Sequence, residues 1–305
     1  LGALPARFRR ERVLVVGCGD VGLRVVQALG SGVGPRSRLL ALTSSPERAP
    51  ALRRHGITPL LGNLDIPASL RRLSGIATRV VHLAPPPGEC QVQWWRDPRT
   101  QALLRALRLR TAPASLVYGS TSGVYGDCAG DLVNEVRATR ASTPRAQRRV
   151  DAETLVRHFG RGSVRSSILR IPGIYAPNRE GGTPRARLLK GTPVLAAADD
   201  VFTNHIHADD LARACVAALW RGQPQRIYNV NDDTALRMGD YFDLAADLYG
   251  LPRPFRLARD VANDQMPLGL LSFMGESRRM DNTRLKQELR VRLVYPTVAT
   301  GLLSK

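Results

Sequence analysis

The feature that most restricts the fold is Val13-Leu-Val-Val-Gly17-Cys-Gly19-Asp20-Val21-Gly22, an apolar run that meets three spaced glycines and continues into a helical pattern. A buried strand that turns at once into a helix needs this spacing. Gly17 allows the tight turn, Gly19 lets a pyrophosphate approach the backbone, and Gly22 lets helix and strand pack closely. The helix start at Asp20 and Val21 offers free N–H groups and a partial positive charge to phosphate. The pattern therefore predicts a dinucleotide site at the head of a parallel sheet, with a glycine-rich turn that binds nothing as the plainer reading.

The rest of the chain supports an α/β fold, a doubly wound parallel sheet with a smaller, interleaved C-terminal lobe. Short apolar runs at Arg12–Val16, Ser37–Thr43, Ile57–Leu61, Arg79–Leu83, Ser115–Gly119 and Val164–Arg170 alternate with helical patterns at Val21–Leu29, Pro46–Arg54, Pro67–Leu73, Pro98–Leu109 and Pro144–Phe159. Residues 1–170 read as the nucleotide-binding domain, and 171–305 as mostly a substrate lobe with segments returning to the main sheet. At the end of the second strand an NAD site places a carboxylate about 20 residues beyond the glycines. Here the stretch is Thr43-Ser44-Ser45-Pro46-Glu47-Arg48. Hydroxyls followed by Arg48 suit a 2′-phosphate, so NADP is preferred over NAD. The competing reading is that Ser44-Ser45-Pro46 only starts a helix. Leu64 after the third strand, and Leu83, Ala84 and Pro85 after the fourth, would flank the cofactor at the same sheet edge.

Charge narrows the partners. Lys+Arg number 45 against 26 Asp+Glu, a net +19, and only Lys190, Lys286 and Lys305 are lysines. The arginines are scattered, and aromatics make up 5% of the chain. That pattern suits solvated faces better than a nucleic-acid stripe. Guanidinium forks fit phosphate and carboxylate, so anionic small molecules are the expected partners. No apolar run approaches a membrane span, no secretory leader opens the sequence, and a cytoplasmic protein is expected. Cys18, Cys90, Cys128 and Cys215 show no metal-type spacing; His205, His207, Asp209 and Asp210 are read without a metal.

Five further stretches carry a resemblance: Tyr118-Gly-Ser-Thr-Ser-Gly-Val-Tyr-Gly-Asp127, Leu169-Arg-Ile-Pro-Gly-Ile-Tyr-Ala-Pro177, Asn204-His-Ile-His-Ala-Asp-Asp-Leu-Ala212, Ile227-Tyr-Asn-Val230 and Asn282-Thr-Arg-Leu-Lys-Gln-Glu-Leu289. In this order they resemble the extended short-chain dehydrogenase/reductases of the NAD-dependent epimerase/dehydratase type. The resemblance implies a Rossmann-like seven-stranded sheet, oxidoreductase or epimerase chemistry, a small-molecule substrate such as a nucleotide sugar, and a homodimer. It implies that Thr121 bonds the reacting oxygen, that Pro172 passes near the nicotinamide, and that Ser122, Tyr175, Arg179, His205 and Arg278 face substrate. Tyr125 is the nearest phenol for proton transfer, with substrate contact as its alternative.

The family's proton-transfer pair, a Tyr and a Lys four residues later on one helix face, has no counterpart. The residues four before the three lysines are Ala186, Asn282 and Gly301. By offset from Glu153, Arg145 and Arg149 stand in those places. Arginine stays protonated, so Arg149 is read as a fixed charge for the cofactor ribose or a substrate anion. Two functions stay open: an NAD(P)-dependent enzyme with an atypical active site, or a dinucleotide-binding sensor or scaffold without turnover.

Overall fold

The structure, a computed structural model, describes residues 11–30, 37–88, 93–266, 271 and 274–304; Cys90 lies outside them. Strands β1 (Arg12–Val16), β2 (Arg38–Thr43), β3 (Thr58–Leu61), β4 (Arg79–His82), β5 (Ser115–Thr121), β7 (Arg165–Ile171) and β12 (Arg226–Asn229) form one sheet in the order β12-β7-β5-β4-β1-β2-β3; the two-residue β6 (Leu132–Val133) stands outside it. The pairs β1·β2, β1·β4, β2·β3 and β4·β5 are parallel. Strand order reverses between β1 and β4, which leaves a crevice at their carboxyl ends.

Both faces of this sheet are covered, which is why its strands read as unbroken apolar runs rather than as alternation. Leu14 and Val16 of β1 join Leu40, Leu42, Val80, Leu103, Leu107, Val156 and Phe159 on one side. Val15 points to the other, against Val26, Ala41, Leu52 and Ile57. Helices α1 (Asp20–Gly30) and α2 (Ala49–Arg54) cover this second face; α3 (Pro98–Arg108) and α4 (Pro144–Phe159) cover the first. Asp97 and Thr143 cap α3 and α4 by accepting from Thr100 N at 3.0 Å and Ala146 N at 3.3 Å, each followed by a proline that has no N–H to lose.

Two expected helices differ. Pro46–Arg54 is a 3-10 turn, Pro46–Arg48, that runs into α2. An α-helix over the whole stretch needs an N–H at Pro50 to bond Pro46, and proline has none. Pro67–Leu73 is 3-10 throughout. Ser69 Oγ there donates to the Ile66 carbonyl at 2.7 Å, a side-chain bond that competes with regular helix.

The scattered arginine surplus, expected as a whole on solvated faces, is partly buried. Arg79, Arg148, Arg149 and Arg170 are all under 10% exposed. Arg79 donates to the Leu219 carbonyl at 2.7 Å and stacks 4.8 Å over Trp220, at the C-terminal end of α6 (Ala208–Arg221). A guanidinium there satisfies orphan carbonyls and opposes the helix dipole.

The chain divides into two compact units. The first comprises 1–120, 143–169 and 212–227; the second comprises 121–142, 170–211 and 228–305. The second is built from short paired strands: β8 (Gly173–Tyr175) with β11 (His205–His207), β9 (Val194–Leu195) with β14 (Arg256–Leu257), β10 (Phe202–Thr203) with β13 (Leu236–Arg237), and β6 with β15 (Arg279–Met280). Its core gathers Tyr175, Val201, Tyr241, Phe242, Ala245, Val298 and Leu302 around α7 (Met238–Tyr249). Asp210, fully buried, accepts from Val294 N at 3.0 Å and Tyr295 N at 2.8 Å. Asp210→Ala leaves both donors unpaired and is expected to cost about 2–4 kcal/mol. Thermal melting checks it; an unchanged midpoint would refute this anchoring role.

Candidate functional site

In the first unit the turn after β1 is held against the end of β4. Leu83 N and Ala84 N both donate to the Val16 carbonyl, at 2.7 and 3.1 Å. Gly17 has φ +88°, and a Cβ there would meet Ala84 N at 2.3 Å. Gly19 is the opposite case: nothing lies within 4 Å of its Cβ position, and it is exposed. Gly22 again is closed in: a Cβ there would lie 2.8 Å from the Gly17 carbonyl oxygen. Two glycines thus serve packing and the middle one leaves open space over the start of α1. Asp20 sits at that start, paired with Arg24 at 3.1 Å, and Val21 is half-buried.

The end of β2 meets this turn through Arg48. Its Nη2 donates to the Cys18 carbonyl at 2.7 Å. Thr43 is buried and its hydroxyl exchanges bonds with Ser45 N and the Ser45 carbonyl, both at 3.2 Å, while Ser44 is exposed. Leu64 packs on the core beyond β3, and Pro85 is exposed beyond β4. Arg99 laces these two loops, gripping Asp65 at 2.6 and 2.7 Å and the Pro85 carbonyl at 3.3 Å. Its guanidinium holds the Asp65 carboxyl below its usual range.

Beneath the sheet edge lies a buried polar group not foreseen from sequence. Arg149 Nη1 donates to Tyr118 Oη at 3.0 Å and to the Gly119 carbonyl at 2.7 Å. Burial pushes the Tyr118 phenol up to about 12 against the pull of Arg149. His82 bonds Thr100 Oγ1 at 2.9 Å, and Thr100 in turn donates to Asp97 at 2.7 Å. Burial, then the Arg149 charge, pulls His82 down to about 3, so it is neutral. Ser120 donates to Glu153 at 2.6 Å. Arg145, one helical turn before Arg149, is exposed.

In the second unit Thr121 caps the turn Ser122–Tyr125 by accepting from Gly123 N at 3.3 Å. Tyr125 is fully buried, donates to Asn229 Oδ1 at 2.7 Å and lies 4.6 Å under the Arg170 guanidinium. Ser122 and Arg278 are brought together at 3.4 Å; Arg278 also donates to the Gly126 carbonyl at 2.9 Å and pairs with Glu276 at 2.8 Å. Tyr175 and His205 meet edge to face with centroids 6.2 Å apart. Pro172 links β7 to β8, and Arg179 lies in the loop that follows, where Gly182 N donates to its carbonyl at 2.9 Å. Among the described residues no helix is long and apolar enough to cross a membrane.

A reversed parallel sheet with a strand–glycine turn–helix at its crevice defines a Rossmann-like α/β protein. The chain belongs to the NAD dependent epimerase/dehydratase family, whose model matches residues 13–231. It is similar, at 25% identity over 187 residues, to a trifunctional UDP-glucose 4,6-dehydratase/UDP-4-keto-6-deoxy-D-glucose 3,5-epimerase/UDP-4-keto-L-rhamnose-reductase of Arabidopsis thaliana. That match takes in 54% of this chain and only 28% of the plant protein. Among solved structures, a conserved protein of unknown function from Silicibacter pomeroyi superposes with TM-score 0.76 at 27% identity over 96% of both chains. MoeE5 in complex with UDP-glucose and NAD superposes with TM-score 0.71 at 23% identity, over 95% of this chain and 96% of that one.

Proposed function

We propose that this protein binds NADP(H) and acts as an oxidoreductase of the epimerase/dehydratase kind on a small anionic substrate of the nucleotide-sugar class. The observation that carries the reading is the open space over Gly19, framed by two closed-in glycines and with the Arg48 guanidinium laid against the same turn. A backbone without a side chain and a neighbouring fixed cation suit a pyrophosphate and a 2′-phosphate. When bound, the nicotinamide supplies hydride transfer.

The chain's own groups bind and orient. In this reading Thr121 holds the reacting oxygen, and Arg149 presents a permanent charge to ribose or substrate anion. Neither Arg149 nor Arg145 exchanges protons at working pH. Tyr125 has its hydroxyl committed to Asn229 and Tyr118 is held protonated, so the proton comes from water or the substrate. The second reading is a cofactor-binding protein without turnover, favoured by the two arginines in place of the proton-transfer pair.

Calorimetric titration with NADPH and NADH tests the assignment. NADPH is expected to bind more tightly, and Arg48→Ala to weaken NADPH about 10- to 100-fold with NADH little changed. An equal loss for both would overturn the NADP preference; no binding of either would overturn both readings. NADPH binding without oxidation in the presence of carbonyl or nucleotide-sugar substrates would select the non-catalytic one.

A further inference from the structure

The second unit contains a cavity of about 500 Å³ walled by β8, β11, α5 (Arg185–Leu189) and the first turn of α7. Two polar side chains of its lining, Arg187 and His205, stand out. Arg187 enters it with its guanidinium 4.6 Å over the Phe242 ring, and no carboxylate among the described residues pairs with it. His205 is 7% exposed, lies 4.1 Å from Tyr241 between ring centroids, and has a buried Nδ1 with no hydrogen-bond partner. Burial, with the Arg187 charge behind it, keeps that imidazole neutral, its pKa drawn down to about 3. Burial also lowers the pKa of Arg187 itself.

A partly desolvated guanidinium without a counter-charge is unfavourable, and so is a buried imidazole nitrogen without a partner. One kind of ligand relieves both. A carboxylate or phosphoryl group matches the planar fork of Arg187, and a neutral imidazole offers one donor and one acceptor beside it. The faces of Tyr241 and Phe242 would take an attached ring. We propose that this cavity is an oxyanion site in which Arg187, with His205 beside it, holds the carboxylate or phosphoryl group of a ring-bearing small molecule. The inference deepens the substrate class proposed above and adds a specificity-determining residue, Arg187, that the sequence does not single out.

The test titrates the full chain with uridine, UDP, UDP-glucose and UDP-glucuronic acid, before and after Arg187→Gln and Arg187→Lys. Wild type is expected to bind UDP at least tenfold more tightly than uridine, or UDP-glucuronic acid at least tenfold more tightly than UDP-glucose. Arg187→Gln should abolish whichever preference exists, and Arg187→Lys should keep part of it. Loss of the first preference assigns a phosphoryl group to Arg187, and loss of the second a carboxylate. Failure of wild type to prefer either anion, or preferences unchanged in Arg187→Gln, would overturn the site. Circular dichroism melting shows that the variants fold. NADPH titration of the same samples separates this inference from the cofactor reading: UDP binding that depends on Arg187 without any NADPH binding would uphold the first and sink the second.

Discussion

Gly17→Ala is expected to abolish dinucleotide binding and to destabilise the first unit by several kcal/mol. The added methyl would lie 2.3 Å from Ala84 N and 2.7 Å from Ala84 Cα, both backbone atoms that no side-chain rotation can clear. Alanine at φ +88° is strained in addition, about 1–2 kcal/mol. To accept it, β1 and the end of β4 must part, and the Leu83 and Ala84 bonds to Val16 go with them. Gly19→Ala is the control that separates fold from ligand. Its new methyl meets nothing within 4 Å, so the melting temperature should stay within about a degree while NADPH affinity falls at least tenfold. Melting curves and calorimetry of the two variants check this directly. A Gly19→Ala protein that binds NADPH as wild type does would mean that the space over the turn is not where pyrophosphate rests.

Acid should weaken the first unit before carboxylates titrate, because His82 is buried neutral. Its folded pKa of about 3 lies below the ordinary 6.5, so the unfolded chain binds the extra proton between those values. The stabilisation is complete above pH 6.5 and is lost as pH falls toward 3, about 2 kcal/mol by pH 5. His82→Gln keeps a polar partner for Thr100 and removes that dependence. Asp232 in the second unit has the opposite sign. Burial lifts its carboxyl to about 7, so protonation stabilises the fold below that value and the gain disappears as pH rises through 7. Asp232→Asn should therefore raise the melting temperature at pH 8 and leave it unchanged near pH 4. Melting at pH 8, 6.5, 5 and 4 resolves the two. A His82→Gln profile parallel to wild type would show that His82 takes up no proton on unfolding in this range.

How much of this could be read from residues alone depended on how local the cause was. The glycine turn and β1 were legible because strand, turn and helix start are consecutive, and the two-sided burial of a central parallel strand imposes its own apolar run. The break between Pro46–Arg48 and α2 was legible too, in Pro50, though a periodic pattern masked it. Arg48 was legible as a position after β2, but its bond to the Cys18 carbonyl depends on the β1·β2 register. The buried arginines had no local sign. Arg149 reaches Tyr118 from 31 residues away, and Arg79 reaches Leu219 from 140. Arg187, His205 and Tyr241 come from three separate elements, and nothing near Arg187 in the chain marks it as facing rings rather than water. A scattered surplus of arginine looks the same in composition whether its guanidinium groups lie in solvent or over aromatic faces.

The division of the chain into two units, each made of three separate stretches, has a consequence in time. During synthesis β1 to β5 emerge first, yet the first unit takes in most of α6 and the first half of β12, with its last stretch ending at residue 227. Until those residues leave the ribosome, the β7 edge of the sheet stands open and Arg79 lacks the helix end it caps. By then two of the three stretches of the second unit have also emerged. The first unit's chain is complete at residue 227 while the second still lacks 228–305, so the first should close before the second during synthesis.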